Sequence, residues 1–147
     1  MTVRRAFPDD IDHLLPLFLA FFAEDSITTP AAAVRTNLAR MLAADRACLF
    51  IAERNGTAIG LASGSLTNGV EFGCTVELED LYVVPEARGQ GLAAQLIGAV
   101  VGWATAEGAA GVILVITPEA EQDQSLTRFY ARMGFEPLPR ITMYRTL

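Results

Sequence analysis

Between Thr75 and Thr117 the chain changes character three times in a way that few folds accommodate. Thr75 to Val84 is rich in β-branched and aromatic residues, Pro85 interrupts it, and Arg88-Gly89-Gln90-Gly91 follows. Leu92 to about Glu107 then carries Leu92, Leu96, Val100 and Trp103 at helical spacing. Gly108 ends that helix, and Val112 to Thr117 is an apolar run of strand character. A helix between two such strands implies a crossover that lays the second strand parallel to its neighbour.

The preceding region has a different period. Cys48 to Glu53 and Thr57 to Thr67 read as strands, and Asn55-Gly56 and Asn68-Gly69 are the dipeptides that best favour primed hairpin turns. With Thr75 to Val84 they predict an antiparallel meander. Thr2 to Ala6 is a short first strand, after which Asp9 or Asp10 caps a helix bearing Ile11, Leu14, Leu15, Phe18 and Phe22. Pro16 predicts a kink or a later start. Pro30 suits the first position of a second helix through about Ala44, with Val34, Leu38, Met41 and Leu42 as its buried stripe. Beyond Thr117 an acidic loop, a short helix from about Gln124 to Met133 closed by Gly134, and a last strand near Ile141 to Arg145 are expected. No repeat or linker interrupts the chain, so residues 1–147 read as a single mixed α/β domain.

Composition narrows the function classes. Of 147 residues, 52% are hydrophobic and 19% charged, which excludes disorder. Eleven basic against 17 acidic residues give a net charge of −6, which argues against nucleic acid, whose binders need a clustered basic face. Cys48 and Cys74 stand in apolar or β-branched runs without a Cys-x-x-Cys, so two buried free thiols in a reducing, cytoplasmic setting are expected. His13 has no Cys or second His nearby, and no metal site is expected. Leu96 to Ile116 is apolar enough to suggest a membrane span, but Glu107-Gly108 breaks it, and no membrane partner is expected.

A glycine-rich turn that opens a helix leaves several backbone N–H groups facing outward with the helix dipole behind them, which suits a phosphate or pyrophosphate. Glycine matters there because side chains would hold the phosphate away from the backbone. Arg88 adds a cation at the rim. The Walker ending Gly-Lys-Ser/Thr is missing, and the dinucleotide fingerprint belongs to a parallel βαβ unit rather than to the end of a meander. A tight turn holding no ligand is the alternative that the glycines alone leave open.

Arg88-Gly89-Gln90-Gly91-Leu92-Ala93 resembles the Arg/Gln-x-x-Gly-x-Gly/Ala signature of the GNAT superfamily of acyl-CoA-dependent N-acetyltransferases. Leu81-Tyr82-Val83-Val84-Pro85-Glu86 resembles that family's strand before the loop. Val3-Arg4-Arg5-Ala6 with Asp9-Asp10, and Phe129-Tyr130 with Gly134-Phe135, are similar to its beginning and end, in the same order and at the usual spacings. The resemblance implies a central, mostly antiparallel sheet of six or seven strands with four helices, splayed between strands 4 and 5. It also implies acetyl-CoA as co-substrate, its pyrophosphate on the amides of Gly89, Gln90, Gly91, Leu92 and Ala93 with Arg88 at the start. The pantetheine arm would pair with Leu81, Tyr82 and Val83, where a backbone N–H would also stabilise the developing oxyanion.

By the same resemblance, which is closest to the diamine acetyltransferase-like members, Glu79 is the expected general base and Asp80 the reserve. Strict alternation puts Glu77, Glu79, Leu81 and Val83 on one face and Asp80 on the other, unless a bulge intervenes. Solvated acids or substrate anchors are the alternative. Tyr130 matches the tyrosine that in many members protonates the departing thiolate. A phenol with a pKa near 10 remains a donor at neutral pH. Asp123 departs from the asparagine that many members carry at that position, which puts its contact with coenzyme A in doubt.

The implied activity is transfer of an acetyl group to a primary amine of a small cationic acceptor in a ternary complex. Phe22, Glu24, Asp25, Glu77 and Tyr144 are the candidate lining residues. Polyamines, aminoglycosides, amino acids and peptide N-termini all stay open as acceptors. A homodimer is the expected assembly, and a non-catalytic acyl-CoA sensor on the same fold is the alternative function.

Overall fold

The computed structural model describes all 147 residues, which form two compact units, Met1–Leu114 and Val115–Leu147. The first unit is built on one sheet with strand order β1-β2-β3-β4-β5, where β1 is Thr2–Arg5, β2 Ala47–Arg54, β3 Thr57–Gly69, β4 Gly73–Val83 and β5 Gly111–Leu114. β1 to β4 pair antiparallel, and β5 lies parallel to β4, as the crossover requires. Asn55 and Gly56 both take positive φ, +51° and +76°, the geometry of a two-residue primed turn. The second Asn-Gly does not turn the chain. β3 runs on through Asn68 and Gly69, and the reversal falls at residues 70–72, because the ladder pairs Asn68 with Cys74 and Gly69 with Gly73.

Helices α1 (Ile11–Glu24) and α2 (Ala31–Ala43) cover one face of the sheet. Leu14, Leu17, Phe18, Val34 and Leu38 close there on Leu49, Ile51, Leu61 and Tyr82. Each such fully buried apolar side chain contributes about 1.5–3 kcal/mol relative to an exposed one. Pro16 lies inside α1 without ending it, and a short 3-10 turn, Pro8–Asp10, leads in. Pro30 stands one residue before α2, at its cap.

Helix α3 (Leu92–Ala106) covers the other face with Leu92, Leu96, Ile97, Val100 and Trp103. Its close approach depends on small residues in β3. A methyl at Gly64 would meet Val76 at 2.9 Å and Val100 at 3.1 Å. Cys48 is buried beside Gly64, and burial pushes its thiol up to about 12, so it is inert. Cys74 is only half-buried.

The Arg4 guanidinium joins β1, β2 and the lead-in turn by reaching Asp10 at 2.8 and 3.0 Å and Glu53 at 2.8 and 3.0 Å. Those contacts hold both carboxyls below their ordinary range.

In the second unit α4 (Pro118–Gln124) occupies what reads in sequence as an acidic loop, and α5 (Leu126–Ala131) is shorter than expected. Thr117 accepts the Ala120 N–H at 3.2 Å and so caps α4. The strand expected near Ile141–Arg145 does not form. A strand requires a ladder partner, and the other elements of this unit are helical. Ile141, Met143 and Tyr144 are about 90% exposed. The sheet therefore has five strands rather than six or seven, with five α-helices rather than four. The mixed α/β class and the mostly antiparallel sheet stand. No helix is long and apolar enough to cross a membrane.

Candidate active site

The site begins with a register shift. Ser63 pairs with Asp80 and Gly64 with Leu78, so Glu79 is the extra residue of a β-bulge in β4. The bulge reverses the parity of the strand. Val76, before it, packs under α3 beside Gly64, whereas Asp80 and Tyr82, after it, face α1 and α2. Val83 is back on the α3 side against Gly60. Strict alternation therefore fails at this point, and Asp80 is turned toward the first two helices.

β4 opens just beyond the bulge. β5 accompanies it only as far as the pair Leu78 and Leu114. The Val84 N–H donates to the Ile59 carbonyl at 3.0 Å, so by alternation the backbone groups of Tyr82 point to β3 and those of Leu81 and Val83 point to the edge that β5 has left. This is the splay expected between strands 4 and 5.

The glycine loop follows at the end of that open edge. Gly89 and Gly91 hold φ at +73° and +76°, in the left-handed region. Gln95 N–H to Gly91 carbonyl, at 3.2 Å, is the first bond of the α3 ladder, so the amides of Leu92, Ala93 and Ala94 precede it and have no helical acceptor. The Gln90 side chain is drawn aside to Arg54, at 2.7 Å.

Arg88 does not extend over this nest. Its Nε donates to the Val83 carbonyl at 2.9 Å, its Nη2 holds both oxygens of Glu24 at 2.8 Å, and its guanidinium lies over the Tyr82 ring. The loop is thereby tied to the end of α1. Those hydrogen bonds hold the Glu24 carboxyl below its ordinary range. The adjacent Asp25 is raised, first by burial and then by the Glu24 charge.

Three acids stand on β4. Glu77 and Glu79 are exposed as residues, yet burial of the Glu79 carboxyl raises its pKa, the Asp80 charge adds to the effect and Ser65 opposes it. Asp80 is mostly covered, accepts a hydrogen bond from the Ser63 hydroxyl and is raised by burial. It forms part of the wall of a cavity of about 150 Å³ between α1, α2 and the sheet. The remaining wall is largely apolar and comes from Phe18, Phe22, Val34, Leu38 and Met41, with Thr29 and Asn37 as the other polar contributors. A wider hollow of about 370 Å³ beside Asp12, His13 and the β2–β3 turn includes neither the glycine loop nor the open part of β4.

In the second unit Tyr130 lies between Phe129 and Phe135, edge-on to both with centroids at 5.1 and 5.5 Å. Burial raises its phenol, so it remains a protonated donor.

A split β4, a left-handed glycine loop and a crossover helix are the combination that the family signature demands. The family model described as Acetyltransferase (GNAT) family matches residues 12–135. The chain belongs to the GNAT acetyltransferase family. As a GNAT acetyltransferase it is 36% identical over 109 residues to aminoglycoside N(6')-acetyltransferase type 1 of Salmonella typhimurium strain LT2, covering 71% of this chain and 73% of that one. An uncharacterized N-acetyltransferase of Archaeoglobus fulgidus is 29% identical over 104 residues, 66% of this chain and 69% of that one. Among solved structures, aminoglycoside N-acetyltransferase AAC(6')-Iy in complex with CoA superposes with a TM-score of 0.84 at 29% identity, over 99% of this chain and 93% of that one. The same enzyme with the bisubstrate analog CoA-S-monomethyl-acetylneamine also gives 0.84 at 29% identity, over 99% and 97%.

Several site features of this acetyltransferase escape sequence reasoning. Ser63 shows no motif and becomes relevant only as the cross-strand partner of Asp80. The role of Arg88 as a tie to Glu24 links positions 64 residues apart. Phe22 lies in the cavity wall, Glu24 is engaged by Arg88, and Tyr144 is exposed. Val34, Leu38 and Met41 read as plain core, yet they face a void.

Proposed function

We propose that the chain transfers the acetyl group of acetyl-CoA to a primary amine of a small cationic acceptor, directly within a ternary complex. The observation that carries this reading is the open edge of β4 at Leu81 and Val83, which leads straight into the amide nest of Gly89 to Ala93. An extended pantetheine arm has outward-facing backbone partners at Leu81 and at the Val83 N–H, whereas the Tyr82 backbone is turned to β3 and the Val83 carbonyl is held by Arg88, and the pyrophosphate has the helix N-terminus. Arg88 supports that loop from behind through Val83 and Glu24 rather than as a direct phosphate ligand.

In the transfer the amine nitrogen attacks the thioester carbonyl carbon, the C–N bond forms and the C–S bond breaks. Glu79 takes the proton that the ammonium must lose, directly or through a water, and its raised pKa suits that role at neutral pH. Asp80 is the reserve base. A backbone N–H on the open edge of β4 stabilises the oxyanion. Tyr130 supplies the proton that turns the departing thiolate into free coenzyme A. Aminoglycosides, named for the Salmonella relative and for AAC(6')-Iy, are one class of acceptor to test, and the cytoplasm and a homodimer are the setting and assembly we infer.

The test is thiol release from acetyl-CoA across an amine panel, with coenzyme A binding followed by calorimetry. Amine-dependent release is the expected result, together with a kcat lowered roughly 10²–10⁴-fold in Glu79→Gln and an unchanged coenzyme A affinity. Tyr130→Phe should likewise lower kcat. Tight coenzyme A binding with no turnover on any amine would overturn catalysis in favour of a sensor.

A further inference from the structure

The cavity beside Asp80 has a chemistry that the general acceptor reading does not specify. Five apolar side chains, Phe18, Phe22, Val34, Leu38 and Met41, make up most of its wall. Its volume of about 150 Å³ is enough for one aromatic ring or a short alkyl chain. Asp80 is the one charged group in that wall, carried there by the bulge at Glu79. Its Oδ2 is taken by the Ser63 hydroxyl, which leaves Oδ1 as an acceptor with no partner in the chain. No cation of the chain offsets its charge. A carboxylate in such a wall is costly, so the group holds its proton more tightly than usual until something brings a positive donor to it.

We propose that this cavity is an acceptor subsite for a primary amine carried on an apolar arm, an aralkyl or alkyl amine, whose ammonium rests on Asp80 while the arm fills the space lined by Phe18, Phe22, Val34, Leu38 and Met41. The proposal rests on the acetyltransferase reading and narrows its substrate class. A polyhydroxylated amine is disfavoured at this subsite, because each hydroxyl placed against the apolar wall loses its water without gaining a partner. Only Thr29 and Asn37 could serve such groups. An apolar arm has no such requirement and removes the void's own cost.

The experiment compares 2-phenylethylamine with kanamycin A as acceptors, by thiol release for kcat/KM and by calorimetric titration of each amine into the protein–coenzyme A complex. Phenylethylamine is expected to exceed kanamycin at least tenfold in kcat/KM. Val34→Phe, which fills the cavity, should abolish phenylethylamine binding and leave coenzyme A affinity unchanged. Asp80→Asn is nearly isosteric and serves where the filling variant does not fold. It should weaken phenylethylamine binding at least tenfold, again without affecting coenzyme A. Equal or better use of kanamycin, or phenylethylamine binding unaffected by both variants, overturns the subsite. If no amine turns over while acetyl-CoA binds, the transferase reading fails. The titration then decides the subsite by itself, and absence of phenylethylamine binding overturns it.

Discussion

Arg88 reaches from the glycine loop to the end of α1, where its Nη2 lies 2.8 Å from both carboxylate oxygens of Glu24. The pair joins the predicted cofactor loop to the helix that forms part of the cavity beside Asp80. Its side chains are 44% and 36% exposed, so solvent screens the attraction. A double-mutant cycle with Arg88→Met and Glu24→Gln should give a coupling of about 0.2–1 kcal/mol, falling further in high salt. The Arg88 hydrogen bond lowers the Glu24 pKa on folding. The contribution is therefore complete above the ordinary carboxylate pKa and is lost as the pH falls through the depressed folded value. Urea midpoints measured across that range in the wild type and in Glu24→Gln check the sign.

Glu79 behaves in the opposite sense. Burial first, then the Asp80 charge, raises its pKa, so the folded state binds that proton more tightly than the unfolded chain. Its linkage reduces stability as the pH rises from the ordinary carboxylate value through the raised one. The proposed general base works only when deprotonated. The acid limb of kcat/KM should therefore lie above the ordinary glutamate value of about 4.3. In Asp80→Asn that limb should move to lower pH, because one of the charges that raises it has been removed. A limb that stays in place would show that another group controls the rate.

Two glycines of the same region should respond in opposite directions to a single methyl. At Gly91 nothing crowds an added Cβ, but φ is +76°, so Gly91→Ala should cost about 1–2 kcal/mol of stability and weaken coenzyme A binding. Gly98 is exposed in the interior of α3, also uncrowded and with ordinary φ. Gly98→Ala should stabilise by about 0.5–1 kcal/mol with no effect on coenzyme A. Thermal melts and calorimetry on the two variants separate backbone strain from helix propensity.

Much of the architecture is written locally. The Asn55-Gly56 turn, the α3 stripe of Leu92, Leu96, Val100 and Trp103, and the parallel return at β5 all follow from residue types within a few positions of one another. The second Asn-Gly misleads, since Asn68 and Gly69 are paired within the ladder and the chain reverses over residues 70–72, directly after them. The apolar alternation around Ile141 reads as a strand, yet a strand exists only where a neighbour completes its hydrogen bonds.

The sequence by itself determines the order of elements, the glycine loop at Gly89 and Gly91, and the presence of acids at positions 77, 79 and 80. Those depend on period, on φ restrictions and on which residues can follow one another. Only the tertiary structure decides which way the acids point. The bulge at Glu79 arises from the pairing of β3 with β4, and it turns Asp80 into a cavity among side chains of α1 and α2 more than 35 residues away. Arg88 is likewise assigned by distance in space. Its motif position marks the loop, but the fold brings it to Glu24, because a guanidinium next to a carboxylate is satisfied where an isolated one would need water.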